Sequence, residues 1–462
     1  MTHYHLIGIG GTGLAPIARV LLERGYKVSG SDLLLSPQAR ELQELGIPLF
    51  IGHHADNIKG ADIVIRSSAI PDGNLEVIAA LHAGIPVLKR ADFLNHLVGD
   101  RKLIAIAGTH GKTTTTAMMA WVLSELEQNP SFIIGGVSKN LKTNAHADIG
   151  SWFVIEADEY DGMFLGLQPD ILIITSIEHD HPDYYPTPQK YFSAFVELLH
   201  HIKSDGDLIL CTDHIKTIKL LDYVNNQIKI HTYGINKNAE FYANDIQHIP
   251  GCGVHFTAND SNLGLREIFQ LQIPGEHNVR NAMAVICAAS LLGYSMADCR
   301  PALESFIGTG RRFDIKGEAQ GITIIDDYAH HPTEIRSTIS AARCNFPNAN
   351  IWVVWQPHTY SRTLTLFDDF LKAFNECDHL IVTEIYKSRE KERPYSSAQL
   401  VEQIHHADVH FIADIPTVTQ YLIQHLKSGD VLLVLSAGDA DQISSQVLTS
   451  LKAHVEQDSK NE

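Results

Sequence analysis

Short apolar segments alternate with longer segments of helical periodicity along most of this chain. Segments such as His5–Ile9, Lys102–Ala107 and Ile351–Trp355 have the length of buried strands. Between about Ile228 and Ile273 the pattern changes to closely spaced β segments separated by turn residues. The alternation of strands and helices favours an α/β fold with largely parallel sheets, and the closely spaced segments predict an antiparallel addition.

The pattern divides into three blocks, each of which begins with its own series of strands. We predict a Rossmann-like N-terminal domain over residues 1–100 and a central P-loop mononucleotide-binding α/β domain with the antiparallel addition over 101–311. A C-terminal Rossmann-like domain is predicted over 312–462. Three domains agree with the length of the chain, since a domain usually takes about 100–200 residues.

Composition and charge exclude several classes of protein. A formal net charge of −18 argues against non-specific nucleic-acid binding. No apolar run is long enough to span a bilayer, so we expect no membrane insertion. The six cysteines are scattered without a C-x-x-C pair, which favours free thiols in a reducing compartment and a cytoplasmic location. Nothing in the sequence indicates the oligomeric state.

The strongest chemical signal is a glycine-rich turn between a clear strand and a clear helix. Its residues are Gly108, Thr109, His110, Gly111, Lys112, Thr113 and Thr114. Glycines let backbone N–H groups converge on phosphate oxygens at a helix N-terminus. Lys112 would reach the β- and γ-phosphates of ATP, and the hydroxyl of Thr113 would bind Mg²⁺. The usual pattern needs glycine at Ile106, so this loop is a variant; the alternative is a plain turn entering a helix.

Acidic and histidine residues follow two further strands of the central block. Glu156 and Glu159 follow one strand, and His179 and His181 follow another. Ligands bind beyond the carboxyl ends of the strands in an open parallel sheet, so both groups should face the phosphate loop. Carboxylate and imidazole ligands there could hold a second Mg²⁺. For Glu159 and His179 a solvated loop is an equal alternative.

A second glycine loop follows the first strand of the chain and matches G-x-G-x-x-G. The loop residues are Gly8, Gly10, Gly11, Thr12 and Gly13, and Asp32 lies about 20 residues further on. The motif indicates that a pyrophosphate can approach the backbone closely. A dinucleotide or a UDP-sugar would satisfy it, so a nicotinamide-dependent oxidoreductase stays an alternative. The simplest account of two phosphate loops is one nucleotide-linked substrate and one ATP.

Together these motifs resemble the Mur ligase family, which builds the peptide stem of bacterial cell-wall precursors. Besides the ATP loop, the segments 276–281, 310–313 and 326–334 carry the likeness. The resemblance implies that Asn278 and Asn281 contact adenine, that Arg312 contacts a phosphate and that Asp327 touches the nucleotide. It also implies that Glu156 and His181 hold the second magnesium ion.

Within the family, four segments favour one activity. They are the N-terminal loop, Ser67–Ile70, Gln356–Thr363 and Ile385–Glu390. The resemblance implies ATP-dependent joining of L-alanine to the carboxylate of UDP-N-acetylmuramate through an acyl phosphate, with Ser68 in the sugar-nucleotide site. A sibling ligase that adds a recycled tripeptide to the same sugar nucleotide is the alternative. Selection among L-alanine, glycine and L-serine stays open, because a methyl group is worth only about 1–3 kcal/mol of discrimination.

The proposed chemistry assigns tasks to charged side chains. Lys112 would offset the repulsion between the phosphoryl group and the carboxylate. His330 or His358 would accept the proton of the amine, although His330 could equally belong to a structural helix cap. Arg362 and Arg389 could bind the carboxylate of alanine. An ATP-driven binding protein without ligase chemistry would leave the clustered carboxylates and histidines without a task.

Overall fold

The computed structural model describes residues 1–391 and 395–461, with side chains described to residue 453. These residues form two compact units, which are described separately below. The first comprises Met1–Glu178, Phe192–Phe241 and Met283–Ala302, and the second comprises His179–Tyr191, Tyr242–Ala282 and Leu303–Glu462.

The first unit begins with a parallel sheet of five strands. Its strands are β1 His3–Ile7, β2 Lys27–Asp32, β3 Leu49–Ile51, β4 Ile63–Arg66 and β5 Val87–Lys89. They lie in the order β3-β2-β1-β4-β5. The helices are α1 Ala15–Glu23, α2 Pro37–Glu44, α3 Leu75–His82 and α4 Arg90–Val98. Strand β1 ends two residues before the predicted limit, because Gly8 adopts a φ of +82° and leaves the β region.

The first unit also contains seven strands of the central block. They are β6 Lys102–Ala107, β7 Ser131–Ile133, β8 Ala145–His146, β9 Trp152–Glu156, β10 Ile171–Ile174, β11 Asp207–Cys211 and β12 Lys229–Gly234. Their order is β12-β11-β10-β6-β9-β7-β8, and only β8 runs antiparallel to its neighbour. Helices α5 Lys112–Glu125, α6 Pro188–Leu199 and α7 Ile215–Lys219 belong to this stretch of chain. Because β6 lies between β10 and β9, the turn after it is flanked by the carboxyl ends of both neighbours.

The second unit contains the predicted antiparallel addition. Strands β13 Phe241–Ile249, β14 Gly253–Asp260 and β15 Leu265–Leu271 are sequential neighbours, and β14 pairs with β15 in antiparallel register. Alternate residues of β14 are buried, as expected for a strand with one face on a core. Helices α8 Glu276–Leu291 and α9 Met296–Glu304 follow along the chain, and their residues between Met283 and Ala302 belong to the first unit.

The C-terminal sheet of the second unit has six strands in the order β16-β17-β21-β18-β19-β20. They are β16 Asp314–Ala319, β17 Ile322–Asp327, β18 Ile351–Gln356, β19 His379–Val382, β20 Val409–Phe411 and β21 Val431–Ser436. The helices are α10 Pro332–Asn345, α11 Tyr360–Thr365, α12 Phe367–Phe370, α13 Ser397–Val401, α14 Ile415–His425 and α15 Gln442–Asn461. The sequence did not predict β16, an antiparallel strand at the sheet edge whose two exposed polar residues are Lys316 and Glu318. Apolar cores cover both faces of this sheet, as its near-continuous hydrophobic strands predict.

Three short 3₁₀ helices, Ala55–Ile58, Tyr160–Gly166 and Leu220–Tyr223, complete the described elements. The predicted fold class is confirmed: an α/β protein with a parallel N-terminal sheet, a central sheet with antiparallel strands and a C-terminal sheet. The domain boundaries at residues 100 and 311 stay predictions. Within the described part of the chain, no helix has the length and apolar character needed to cross a membrane.

Candidate active site

The turn after β6 has the backbone shape that a phosphate loop requires. Gly108 has a φ of +132° and Gly111 a φ of +81°, so both lie where side chains are strongly disfavoured. A Cβ atom on Gly108 would collide with the hydroxyl of Thr175 and lie 2.9 Å from the amide nitrogen of Ser176. Glycine at position 108 is therefore required by backbone conformation and by the close approach of the neighbouring strand end.

Hydrogen bonds from the end of β10 fix the outer side of this turn. The amide of Thr109 donates to the carbonyl of Ser176 at 2.9 Å, and the amide of His110 donates to the Ser176 hydroxyl at 3.0 Å. The Thr109 hydroxyl donates to the carbonyl of Glu178 at 2.9 Å. The imidazole of His110 lies 3.1 Å from the carboxylate of Glu178. Helix α5 therefore starts from a fixed loop.

Lys112 lies at the start of α5 with its ammonium group folded over the loop. Its Nζ donates to the carbonyls of Gly108 and Thr109, at 2.5 and 3.1 Å, and forms an ion pair with Glu159 at 2.8 Å. Burial alone would lower the pKa of Lys112, but the carboxylates of Glu159 and Glu156 outweigh it and raise the pKa. The lysine is therefore a mostly buried, charged cation at the loop.

Thr113 and Glu156 form a pair of oxygen ligands beside this lysine. The hydroxyl of Thr113 donates to Oε1 of Glu156 at 2.9 Å, and the amide of Gly135 donates to Oε2 at 2.6 Å. Hydroxyl and carboxylate oxygens are ligands that Mg²⁺ prefers, so the residues present fit the predicted metal. Thr114, the next residue of the loop, is buried.

The N-terminal glycine loop is held by the residue that the sequence had singled out. Oδ2 of Asp32 accepts the amide of Gly10 at 2.9 Å, and Oδ1 accepts the amide of Leu33 at 2.7 Å. Both oxygens of this carboxylate therefore bind backbone amides, whereas a dinucleotide-binding fold directs it to a ribose hydroxyl. This arrangement disfavours the nicotinamide alternative.

The rest of the loop is shaped by its neighbours. The amide of Gly11 donates to the carbonyl of Gly8 at 3.2 Å, which makes the turn tight before Thr12. A Cβ atom on Gly8 would lie 3.1 Å from Cβ of Ser67, in the turn that follows β4. Ser68 is exposed in the same turn. The loop and the turn around Ser68 are therefore adjacent.

In the second unit, Arg362 is buried against a carboxylate that the sequence did not single out. Its Nε donates to Oδ1 of Asp180 at 2.7 Å, and its Nη1 lies 2.9 Å from Nδ1 of His358. Burial would raise the pKa of Asp180, but Arg362 and nearby imidazoles, His181 and His330 among them, hold it well below its ordinary value. Arg362 on α11 and Asp180, which precedes α6 along the chain, therefore form a buried pair of opposite charges.

His330 and His358, the two candidate proton acceptors, lie beside this pair with ring centroids 5.9 Å apart. Burial, opposed by Glu334 and assisted by Arg362, lowers the pKa of His330 to about 4. Burial and the charge of Arg362 lower the pKa of His358 to about 2. Both imidazoles are therefore neutral at pH 7, and neither has the pKa near 6.5 on which the sequence argument relied.

The two imidazoles differ in which nitrogen is free to accept a proton. Nδ1 of His330 lies 2.8 Å from the carbonyl of Tyr328, so this nitrogen carries the hydrogen and Nε2 keeps its lone pair. Nδ1 of His358 faces the guanidinium of Arg362, which is a donor only. His330 is consequently the better placed of the two candidates.

A helix cap was the alternative to a catalytic role for His330, but the residue that caps α10 is His331. Nδ1 of His331 accepts the amide of Thr333 at 3.3 Å, and the carboxylate of Glu334 completes a capping box at the start of α10. The amide of His330 also donates to Glu334 at 3.1 Å. The histidine at position 331 caps the helix, while the side chain of His330 does not.

Arg389 and His181, two further predicted site residues, make ionic contacts of their own. Arg389 is half exposed and pairs with Asp183 through its Nη2 at 2.6 Å. His181 has a φ of +52°, a region that a residue other than glycine adopts at some cost, and its Nε2 lies 3.7 Å from Asp180. Its part as a metal ligand stays a prediction.

The segments implied to contact the nucleotide are ordered by short hydrogen bonds. The side-chain amide of buried Asn278 donates to the carbonyl of Pro274 at 2.7 Å, and the side-chain amide of Asn281 donates to Oδ1 of Asn278 at 3.2 Å. Asp327 accepts the amide of Phe313 at 2.7 Å, and burial raises its pKa to about 6 against the opposing charge of Arg312. The guanidinium of Arg312 packs on the ring of Tyr328.

Sequence reasoning missed Asp180, Asp183 and Arg90. Asp180 and Asp183 stand beside the histidine of a motif that had been noticed, so their adjacency to His181 was the available signal. Arg90 belongs to none of the sequence motifs described above. Its position became visible only through its contact with the N-terminal loop.

The fold and the charged phosphate loop indicate a nucleotide-binding α/β protein, and the comparisons define it as an ATP-dependent ligase. Residues 3–102 match the model described as "Mur ligase family, catalytic domain", 106–289 match "Mur ligase middle domain", and 311–438 match "Mur ligase, glutamate ligase domain". The chain belongs to the Mur ligase family. The family and the enzyme class predicted from the sequence are thereby confirmed.

Similar proteins cover nearly the whole chain. The UDP-N-acetylmuramate–L-alanine ligase of Geobacter sp. (strain M21) is 42% identical over 97% of both chains. That of Syntrophomonas wolfei is 39% identical over 98% of this chain and 97% of its own. The structure of UDP-N-acetylmuramate-alanine ligase from Thermotoga maritima superposes with a TM-score of 0.83 at 29% identity, covering 98% of this chain and 100% of that one. A murein peptide ligase from Psychrobacter arcticus gives a TM-score of 0.73 at 26% identity, with coverages of 98% and 99%.

Proposed function

We propose that the protein joins L-alanine to the carboxylate of UDP-N-acetylmuramate, with ATP converted to ADP and phosphate. The observation that carries this proposal is the likeness, near 40% identity over almost the full chain, to ligases of that name. The murein peptide ligase is less similar in sequence and in structure, so the tripeptide alternative is not favoured. The proposal includes a cytoplasmic location, which six cysteines without a disulfide favour.

The reaction needs a carboxylate to meet a phosphoryl group of like charge. Lys112 would neutralise phosphoryl oxygens, since its ammonium group is mostly buried, charged and directed onto the loop carbonyls. ATP binding would exchange the ion pair with Glu159 for one with the γ-phosphate. Thr113 and Glu156 would hold Mg²⁺, which supplies further neutralisation of phosphate charge when it is bound.

The amine must lose a proton as it attacks the acyl phosphate. Nε2 of His330 would accept this proton, because its other nitrogen is held by the carbonyl of Tyr328 and fixes the tautomer. Arg362 and Arg389 would orient the carboxylate of alanine. Asp180 would hold Arg362 in place through the 2.7 Å ion pair.

Phosphate release from Mg-ATP tests the proposal. The purified protein is incubated with UDP-N-acetylmuramate and, in turn, L-alanine, glycine, L-serine or the tripeptide. We expect release that requires the sugar nucleotide and is fastest with L-alanine. Faster release with the tripeptide would assign the protein to the sibling activity. ATP binding without release in any mixture would contradict ligase chemistry in this chain.

A further inference from the structure

The side chain of Arg311 bridges two strand ends of the C-terminal sheet. Its Nη2 donates to the carbonyl of Ser436, the last residue of β21, at 2.6 Å. Its Nε lies 3.3 Å from Oδ2 of Asp326 in β17, and its Nη1 lies 3.4 Å from Oδ2 of Asp441, directly before α15. One guanidinium group therefore joins β17, β21 and the start of α15 at the carboxyl edge of the sheet.

Backbone hydrogen bonds fix the segment around Arg311 as well. Arg311 has a φ of +58° and Phe313 a φ of +45°, and the left-handed region costs free energy for residues other than glycine. The carbonyl of Arg311 accepts the amide of Tyr328 at 2.8 Å, and Asp327 accepts the amide of Phe313 at 2.7 Å. Arg312, the implied phosphate contact, lies between these two anchored residues.

The conformation of Arg312 depends on that of its neighbour. A residue stays in a disfavoured φ region only when the surrounding structure holds it there. Without the contacts of its guanidinium, the backbone at Arg311 would relax, and the next residue would turn with it. Arg311 and Arg312 also pack on one ring, since the Cζ atom of each lies 5.1 Å from the centroid of Tyr328. The place of Arg312 on this ring is therefore coupled to the contacts of Arg311.

Asp326 makes one of these contacts sensitive to pH. Its side chain is almost fully buried, and its Oδ1 has no hydrogen-bond partner among the residues that the structure describes. Burial and the charges of Asp441 and Asp327 raise the pKa of Asp326 to about 7, against the opposing charge of Arg311. The charged groups around it are Arg311, Lys316, Asp314, Asp327 and Asp441. Asp326 is therefore mostly ionised at pH 8 and mostly neutral at pH 6.

We infer that Arg311 is a positioning residue, which clamps the segment before β16 so that Arg312 meets a phosphate of the nucleotide. The inference rests on the proposed function and deepens it. Arg311 acts through Arg312 in this role, so its loss should matter only while Arg312 is present. The clamp includes Asp326, so the contribution of Arg311 should also be larger at pH 8 than at pH 6.

A double-mutant cycle tests the first consequence. Phosphate release gives kcat/KM for ATP at saturating UDP-N-acetylmuramate and L-alanine. Arg311→Ala should lower this constant about tenfold in the wild type, as expected for loss of charged contacts, and less than about twofold in the Arg312→Ala background. Additive losses would refute action through Arg312.

Two single variants keep this test specific. Arg311→Lys should fall between Arg311→Ala and the wild type, because it keeps a charge beside Asp326 without the planar fork. It also keeps the inference testable if Arg311→Ala does not fold. Arg336→Ala removes an exposed arginine of α10 and should turn over like the wild type. Arg311→Lys with the full loss of Arg311→Ala would contradict a contribution of the charge.

The pH profile separates the clamp from general damage. At pH 8 the wild type should exceed Asp326→Asn about fivefold in kcat/KM for ATP, because asparagine offers Arg311 no charge. At pH 6 the carboxyl group is mostly neutral, and the ratio should fall below about twofold. In the Arg311→Ala background the same comparison should give one ratio at both pH values. A wild-type ratio that does not change between pH 6 and pH 8 would overturn the clamp.

Two results distinguish this inference from the proposed function. Folded wild-type protein that releases no phosphate with UDP-N-acetylmuramate and L-alanine would contradict the proposed function itself. Wild-type turnover that Arg311→Ala leaves unchanged would let the ligase proposal stand and refute the role of Arg311.

Discussion

Replacing the buried carboxylate of Glu76 by the amide of glutamine is expected to remove an acid-sensitive part of the stability of the N-terminal sheet. Glu76 lies in α3 and is fully buried. Its Oε2 accepts the hydroxyl of Ser31 at 2.6 Å and lies 3.0 Å from Nε2 of His5. Its Oε1 accepts Nδ2 of Asn57 at 2.7 Å and the amide of His54 at 3.2 Å. One side chain therefore joins β1, β2 and the turn after β3.

The size of the effect follows from the pKa of Glu76. Burial alone would raise this pKa, but hydrogen bonds from His5, Ser31 and Asn57 outweigh it and lower the pKa from 4.5 to about 2. A shift of this size corresponds to about 3 kcal/mol. Because the folded pKa is the lower one, the stabilisation is complete well above pH 4.5 and is lost as the pH falls towards 2. About 1 kcal/mol of it should disappear between pH 6 and pH 4.

Hydrogen exchange measured by mass spectrometry on the peptides of β1 and β2 provides the assay, after correction for intrinsic exchange rates. The wild type should lose about 1 kcal/mol more protection between pH 6 and pH 4 than Glu76→Gln. At pH 7 the variant itself should be less protected, since the amide cannot accept all four hydrogen bonds. Glu41→Gln, at an exposed carboxylate of α2, is the control. The same pH dependence in wild type and Glu76→Gln would refute the reasoning.

Three further predictions concern the active site and the thiols. Lys112→Met should lower kcat by about 10²–10³-fold, because it removes a mostly buried charge that acts on the phosphoryl group. The rate of phosphate release measures kcat, and a normal rate would exclude the role assigned to Lys112. Arg389→Ala should raise the KM for L-alanine at least about fivefold and leave the KM for ATP within about twofold, since one charged contact to alanine is lost. Steady-state kinetics measure both constants, and equal increases in the two KM values would argue against a contact between Arg389 and alanine. None of the six cysteines is in a disulfide, so a thiol reagent should titrate six in denaturant and, in the folded protein, react with exposed Cys252 before the four buried thiols. Slower reaction at Cys252 than at the buried thiols would contradict this.

Much of the fold could be predicted because its signals are local. Strand β6, its glycine turn and the following lysine lie within about ten consecutive residues, so the sequence alone could predict a phosphate loop there. Strands of the parallel sheets are continuous apolar runs, and most were found within two residues of their bounds. Strand β16 was missed because an edge strand buries little and keeps polar residues, as Asp314–Ala319 does.

In the candidate site, too, the sequence predicted the features that depend on local signals and missed those that depend on the fold. The sequence identified Lys112, Thr113 and Glu156, whose spacing and strand-end positions bring them together in any parallel sheet of this order. It also identified His330 and His358, but it assigned them an unperturbed pKa. Their actual pKa values depend on burial and on the charge of Arg362, which a linear pattern does not report.

The sequence by itself determined the family, the α/β class and the two phosphate loops, because each depends on residues that are neighbours along the chain. The tertiary structure alone decided which charges meet. Asp180 and Arg362 are 182 positions apart in the sequence, and Arg90 reaches Gly13 from the start of another helix. Such pairs depend on the order of strands in a sheet and on the packing of helices against it, and the free energy of burying each charge is set only when the chain has folded.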